Sequence, residues 1–132
     1  KLGGRVLSLK DVKVPVYNLA TKEDHIAPPR SVFKGSALFG GAVEYVLSGS
    51  GHIAGVVNPP DKQKYQYWTN GKPHGKFEDW VAKAKETKGS WWPHWHAWIE
   101  KRNKERVDAR TPGGSALNAI ADAPGTYVLE RV

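Results

Sequence analysis

The sequence predicts an α/β fold with parallel strands, and two observations carry that prediction. Apolar, β-branched runs at Val12–Leu19 and Val43–Leu47 are separated by a polar loop and a short helical stretch, the rhythm of a βαβ unit. The loops that follow these two runs hold Asp24 and His52. In open parallel sheets, functional groups collect outside the carboxyl ends of the strands.

Taken in order, Arg5-Val-Leu-Ser-Leu9 follows a Gly3-Gly4 turn and reads as a short first strand. Val12–Leu19 is the second. Pro15 offers no ladder donor, so it belongs near the beginning of that strand or at an irregularity. A polar loop takes over at Thr21-Lys-Glu-Asp24. Pro28-Pro29 suits a first helical turn, which predicts a helix over Arg30–Leu38 closed by Gly40-Gly41. Val43–Leu47 is the next strand, and Ser48-Gly-Ser-Gly51 is a turn delivering His52.

After Asn58-Pro-Pro60 the pattern changes. Lys64–Trp68 alternates and reads as a short extended segment. Phe77, Trp80, Val81 and Ala84 share a helix face, with Glu78 and Asp79 in the favourable first turn, and Gly89-Ser90 ends that helix. Ser90 can cap a further helix on which Trp91, Trp95 and Trp98 recur at helical spacing, with Trp92 and Ile99 widening the apolar face. Pro93 is tolerated in its first turn. Beyond Lys104 the chain is rich in Gly, Pro, Ala and Thr. The expected division is a strand-and-loop part (1–58) carrying Asp24 and His52, a Trp-rich helical part (59–105) and an extended tail (106–132), all within one domain.

Composition bounds the function. The 132 residues carry 20 Lys and Arg against 13 Asp and Glu, a formal charge of +7. Nucleic acid or a polyanionic small substrate such as a coenzyme A thioester would suit such a surface, although an ordinary solvated basic face accounts for most of these side chains. The absence of cysteine excludes a disulfide framework and a thiolate metal site. No apolar run approaches the roughly 20 residues that span a bilayer, and no signal peptide opens the chain, so a soluble, cytosolic protein is expected. With no methionine and a start at Lys1-Leu-Gly-Gly, the chain reads as the C-terminal piece of a longer protein.

The chemistry centres on Asp24 and His52. Carboxylate then imidazole is the chain order of the α/β-hydrolase triad, whose nucleophile comes earlier. The histidine takes a proton from the nucleophile while the carboxylate fixes its tautomer. Gly49, Gly51 and Gly55 around His52 fit a loop that bends sharply and admits a substrate. No serine stands in a nucleophile-elbow pattern, and the chain is too short for a complete hydrolase sheet. His25 neighbours Asp24, so their side chains tend to diverge and His25 reads as structural. His94 and His96 lie two apart on a helix and share no face, which argues against a metal site. The tryptophans read as packing rather than as a base-stacking platform. No phosphate-cradling or dinucleotide motif is present.

Several blocks of residues resemble one known family. Val14-Pro-Val-Tyr17, Glu23-Asp-His-Ile-Ala-Pro28, Ser48-Gly-Ser-Gly-His-Ile-Ala-Gly-Val-Val-Asn-Pro-Pro60, Tyr67-Trp-Thr-Asn70, Gly89-Ser-Trp-Trp-Pro-His-Trp95 and Ala123-Pro-Gly-Thr-Tyr-Val128 look like the C-terminal part of poly(3-hydroxyalkanoate) synthases. They are most similar to the class I enzymes that make short-chain polyesters. The resemblance implies an α/β-hydrolase-type domain with a Cys–His–Asp triad, in which His52 and Asp24 match the catalytic histidine and aspartate. The cysteine would lie in a Gly-x-Cys-x-Gly elbow outside this chain.

In that family the thiol takes an (R)-3-hydroxyacyl group from coenzyme A, and the hydroxyl of another acyl unit then attacks. His52 would be the general base, and Asp24 would orient and charge-stabilise it; a direct role for the aspartate in activating the hydroxyl is also considered in the family. No metal or redox cofactor is implied, coenzyme A being part of the substrate and the leaving group. The implied partners are the hydroxyacyl-coenzyme A, the growing polyester, the N-terminal part of the same protein, a second copy in a homodimer, and the surface of cytoplasmic polyester granules. Nucleic acid and a transmembrane segment are not implied. Alone, the fragment would be inactive. The competing readings are an esterase or thioesterase of the same fold, and a basic, Trp-rich, non-enzymatic binding module.

Overall fold

In the computed structural model, which describes residues 1–111, 113 and 117–131, β1 (Val16–Thr21) starts directly after Pro15. It leads through the Asp24 loop into α1 (Pro29–Ser36) and then into β2 (Val43–Ser48), which pairs with β1 in parallel from Val16↔Val43 to Thr21↔Ser48. The predicted βαβ unit is therefore present, with boundaries moved by a few residues. α1 already ends at Ser36, capped by Ala37, and Gly40-Gly41 instead lead the chain into β2. A Cβ on Gly41 would lie 2.6 Å from the carbonyl oxygens of Lys13 and Val14, so only glycine lets these two segments meet.

The sheet is mixed rather than parallel throughout. β3 (Gln66–Thr69) runs antiparallel to β2, and β4 (Lys85–Lys88) antiparallel to β3, giving the order β1-β2-β3-β4. Both antiparallel strands fall within 59–105, where a helical part was expected. The helix predicted to run to Gly89 stops early: α2 is Phe77–Lys83, and Ala84 is already extended (φ −73°, ψ 140°). Lys85-Glu-Thr-Lys88 then pairs with β3, and the Trp68 indole N–H donates to Glu86 Oε2 at 2.9 Å. The strand expected at Arg5–Leu9 does not form. Among the described residues there is only a Leu2↔Arg5 bridge and a 3-10 turn at Leu9–Asp11, with Val6 and Leu7 exposed.

Alternation along the strands sends side chains to two faces. Ala20, Tyr45, Leu47 and Trp68 point to one face and form the core with Phe33 of α1 and Trp80 of α2. The rings meet edge to face, Tyr45–Trp80 at 4.9 Å and Phe33–Tyr45 at 5.2 Å, the arrangement that aromatic quadrupoles favour. An Arg30–Glu78 ion pair joins α1 to α2 at the surface. Tyr17 and Tyr67 point to the opposite face, where α3 (Trp92–Glu100) lies: His94 packs on both tyrosines and Trp98 on Tyr17.

Lys1–Arg102 is one compact unit, and Asn103–Val132 is a second. Of the second, the described residues form turns and bends with one 3-10 turn at Tyr127–Leu129. The extended tail expected at 106–132 lies partly outside the described residues. No helix among those described is long and apolar enough to cross a membrane.

Candidate active site

Asp24 and His52 leave the sheet from the ends of adjacent parallel strands, so the β1–β2 register determines how close they come. Two main-chain bonds extend that pairing beyond the strands: Lys22 N–H donates to Ser48 O at 2.8 Å and Glu23 N–H to Ser50 O at 3.0 Å. Ser50 adopts φ +70°, a left-handed conformation that costs a non-glycine residue and turns the chain sharply before His52. Gly51 to Gly55 then form a helical turn, Gly55 N–H donating to Gly51 O at 2.9 Å. Gly55 packs against the β1 end so closely that a Cβ would lie 2.6 Å from Thr21 Cγ2 and 2.5 Å from Gly49 O.

The outcome is a direct contact. His52 Nδ1 lies 2.8 Å from Asp24 Oδ2. The carboxylate is nearly enclosed, its side chain 7% exposed, whereas the imidazole is 47% exposed and open to a reaction partner. Asp24 is held from behind: its Oδ1 accepts the Ile26 and Ala27 N–H groups at 2.9 Å each, and Thr21 Oγ1 donates to Oδ2 at 3.3 Å. The Ala27 N–H does most to lower the Asp24 pKa. Burial opposes it, and the His52 ring and the Ile26 N–H add to it, so the carboxyl titrates at about 2.

An ionised carboxylate can only accept hydrogen bonds, so the neutral imidazole must carry its proton on Nδ1. Nε2 is then left with a lone pair, the form of histidine that removes a proton from a nucleophile. A hollow of about 360 Å³ lies beside the pair, walled by apolar groups that include Leu19, Val32, Ile53 and Val56.

The remaining sequence candidates are placed elsewhere. His25 is exposed. His94 Nδ1 is 3.0 Å from the Tyr17 hydroxyl, while His96 faces Glu100 at 3.7 Å. The described residues include no cluster of three or more His, Cys, Asp or Glu able to hold a metal. Sequence reasoning did not single out Thr21, which donates to the carboxylate. Nor did it give the tryptophans a polar role, although the Trp91 and Trp92 indoles bond to the His52 loop. An indole N–H is a donor only and bonds whatever acceptor lies within reach, and that donor was the available signal.

Similar curated proteins share one description. The chain is 67% identical over 130 residues to the poly(3-hydroxyalkanoate) polymerase subunit PhaC of Rhizobium etli, covering 98% of this chain and 20% of that protein. It is 64% identical over 128 residues to the poly(3-hydroxyalkanoate) polymerase of Methylorubrum extorquens, covering 96% and 21%. Against the polymerase subunit PhaC of Cupriavidus necator the identity is 40% over 129 residues, covering 97% and 22%. No protein-family model matches the chain. The chain is therefore homologous, over nearly its entire length, to a portion of the poly(3-hydroxyalkanoate) polymerases, and it spans about a fifth of their length.

Proposed function

We propose that this chain supplies the base and the orienting carboxylate of a polymerase that joins (R)-3-hydroxyacyl groups from coenzyme A thioesters into a polyester. The observation that carries the reading is the 2.8 Å contact between His52 Nδ1 and a carboxylate that stays ionised across the physiological range. Asp24 and His52 follow consecutive parallel strands, which fits the last part of an α/β-hydrolase sheet. The chain contains no cysteine, so the thiol nucleophile that the family resemblance implies would belong to another segment of the polymerase.

In this mechanism His52 Nε2 takes the thiol proton as sulfur attacks the acyl carbonyl. Coenzyme A leaves with a proton returned by the imidazolium, and the acyl group remains on the enzyme as a thioester. The hydroxyl of a second acyl unit next loses its proton to Nε2 and attacks that thioester, forming the ester bond and freeing the thiol. Asp24 keeps the ring in the Nδ1–H tautomer and stabilises the imidazolium at both stages. No metal enters the scheme. A second copy of the polymerase and the polyester granule surface are the further partners proposed.

The isolated 132 residues should release no coenzyme A from 3-hydroxybutyryl-coenzyme A, whereas the full-length polymerase should, and His52→Ala within it should abolish release. Polymer made by the isolated chain, or a His52→Ala enzyme of normal rate, refutes the proposal.

A further inference from the structure

The loop carrying His52 is gripped from the far side of the sheet. Residues 51–57 make a helical turn, with Gly55 N–H donating to Gly51 O and Val57 N–H to Ile53 O at 2.8 Å. A turn that short leaves carbonyls at its C-terminal end without helical partners. Here side chains take them up. Gly55 O accepts Ser48 Oγ–H at 2.8 Å and the Trp91 indole N–H at 3.2 Å. Val56 O accepts the Asn58 N–H at 3.0 Å, the Trp92 indole N–H at 3.1 Å and a second, longer contact from Trp91 at 3.3 Å.

Both indoles are anchored in their turn. Ser90 Oγ accepts the Trp92 main-chain N–H at 3.1 Å, setting the start of α3. The Trp91 ring lies 6.1 Å from Tyr17, 5.9 Å from Trp95 and 6.3 Å from Trp92. Tyr17 belongs to β1, the strand that delivers Asp24. One aromatic group thus touches the strand leading to the carboxylate and the turn bearing the imidazole.

We infer that Trp91 and Trp92 are positioning residues for His52: their indole N–H groups hold the 51–57 turn so that the imidazole stays in register with Asp24. The inference rests on the catalytic reading of His52 proposed above. Without the two donors the turn keeps its Ser48 and main-chain bonds but gains freedom at its C-terminal end, and the helical bond from Gly55 N–H to Gly51 O passes that freedom back to the residues flanking the imidazole. A displacement of about an ångström at a reacting group costs on the order of a hundredfold in rate.

The test uses the full-length polymerase with Trp91→Phe and Trp92→Phe combined, which keeps aromatic rings and removes both donors. Turnover of 3-hydroxybutyryl-coenzyme A should show kcat lowered roughly a hundredfold with KM unchanged. A fall in kcat at constant KM, in an enzyme whose circular dichroism and melting temperature match the parent, is what a merely structural role would not produce. If the double variant does not fold, Trp92→Phe alone makes the same test with a smaller effect, because that indole is 37% exposed and serves only Val56 O. A folded variant with wild-type kcat, or one whose kcat falls only together with its melting temperature, overturns the inference. His52→Ala in the same enzyme separates the two claims. Loss of rate there with no effect of the Trp changes sinks only the positioning role, whereas a normal rate for His52→Ala removes the catalytic reading beneath it.

Discussion

Asp24→Asn in the full-length polymerase separates the carboxylate's charge from its shape. Oδ1 of the amide can keep the Ile26 and Ala27 N–H bonds, both 2.9 Å in the parent, so the loop should retain its conformation. The atom replacing Oδ2 becomes an NH2 group, and it would stand 2.8 Å from His52 Nδ1 with two donors facing each other. The imidazole escapes that clash by moving its proton to Nε2, and the atom meant to accept the nucleophile's proton then has no lone pair. Thr21 Oγ1, 3.3 Å away, can rotate to accept from the amide and stabilises the wrong tautomer further. The expected fall in kcat is about 10⁴-fold, the size found when a triad carboxylate is converted to its amide. Coenzyme A release from 3-hydroxybutyryl-coenzyme A, followed with a thiol reagent, measures it, and circular dichroism verifies the fold. A folded Asp24→Asn enzyme losing less than about a hundredfold would mean that His52 does not depend on Asp24 for its tautomer.

Gly55→Ala forces a Cβ within 2.9 Å of Gly51 O as well as against Thr21 and Gly49. It should cost about 1–3 kcal/mol by overpacking, read as a lower denaturant midpoint, and an unchanged midpoint contradicts the packing described. His94 is held below its ordinary pKa of 6.5, first by burial and further by Lys101, with Glu44 opposing. A base with a lowered folded-state pKa binds protons more readily when unfolded. Its contribution is therefore complete above the unfolded pKa and drains away as pH falls below about 6.5. His94→Asn should flatten the stability profile between roughly pH 7 and 5, and an unaltered slope refutes this.

The part of the fold nearest the chemistry was the part legible in the sequence. Val43–Ser48 is apolar and its side chains are almost all buried, so its composition announced a strand whatever surrounded it. Asp24 and His52 followed from position, since loops at consecutive strand ends converge once the strands are parallel. β4 was invisible because Lys85-Glu-Thr-Lys88 has no apolar face, and its strand character comes from pairing with β3. The opposite error arose at Arg5–Leu9, where strand-like residues form no ladder beyond the Leu2↔Arg5 bridge and Val6, Leu7 and Leu9 remain exposed. The indole bonds to Gly55 and Val56 span more than thirty residues of sequence. They depend on α3 crossing the face opposite the core, which helical periodicity cannot reveal.

The two borders of the sheet are chemically unlike. β4 ends the sheet with Lys85, Glu86 and Lys88 all exposed, and a charged fringe of this kind repels an incoming strand. β1 ends it with Val-Tyr-Asn-Leu-Ala-Thr, half to fully buried and without such a fringe. The sheet therefore has a direction of growth. Further strands can be added on the side where Asp24 emerges, while the opposite side is capped against adventitious pairing. A strand added at the β1 border would lie beside the strand that ends at the carboxylate.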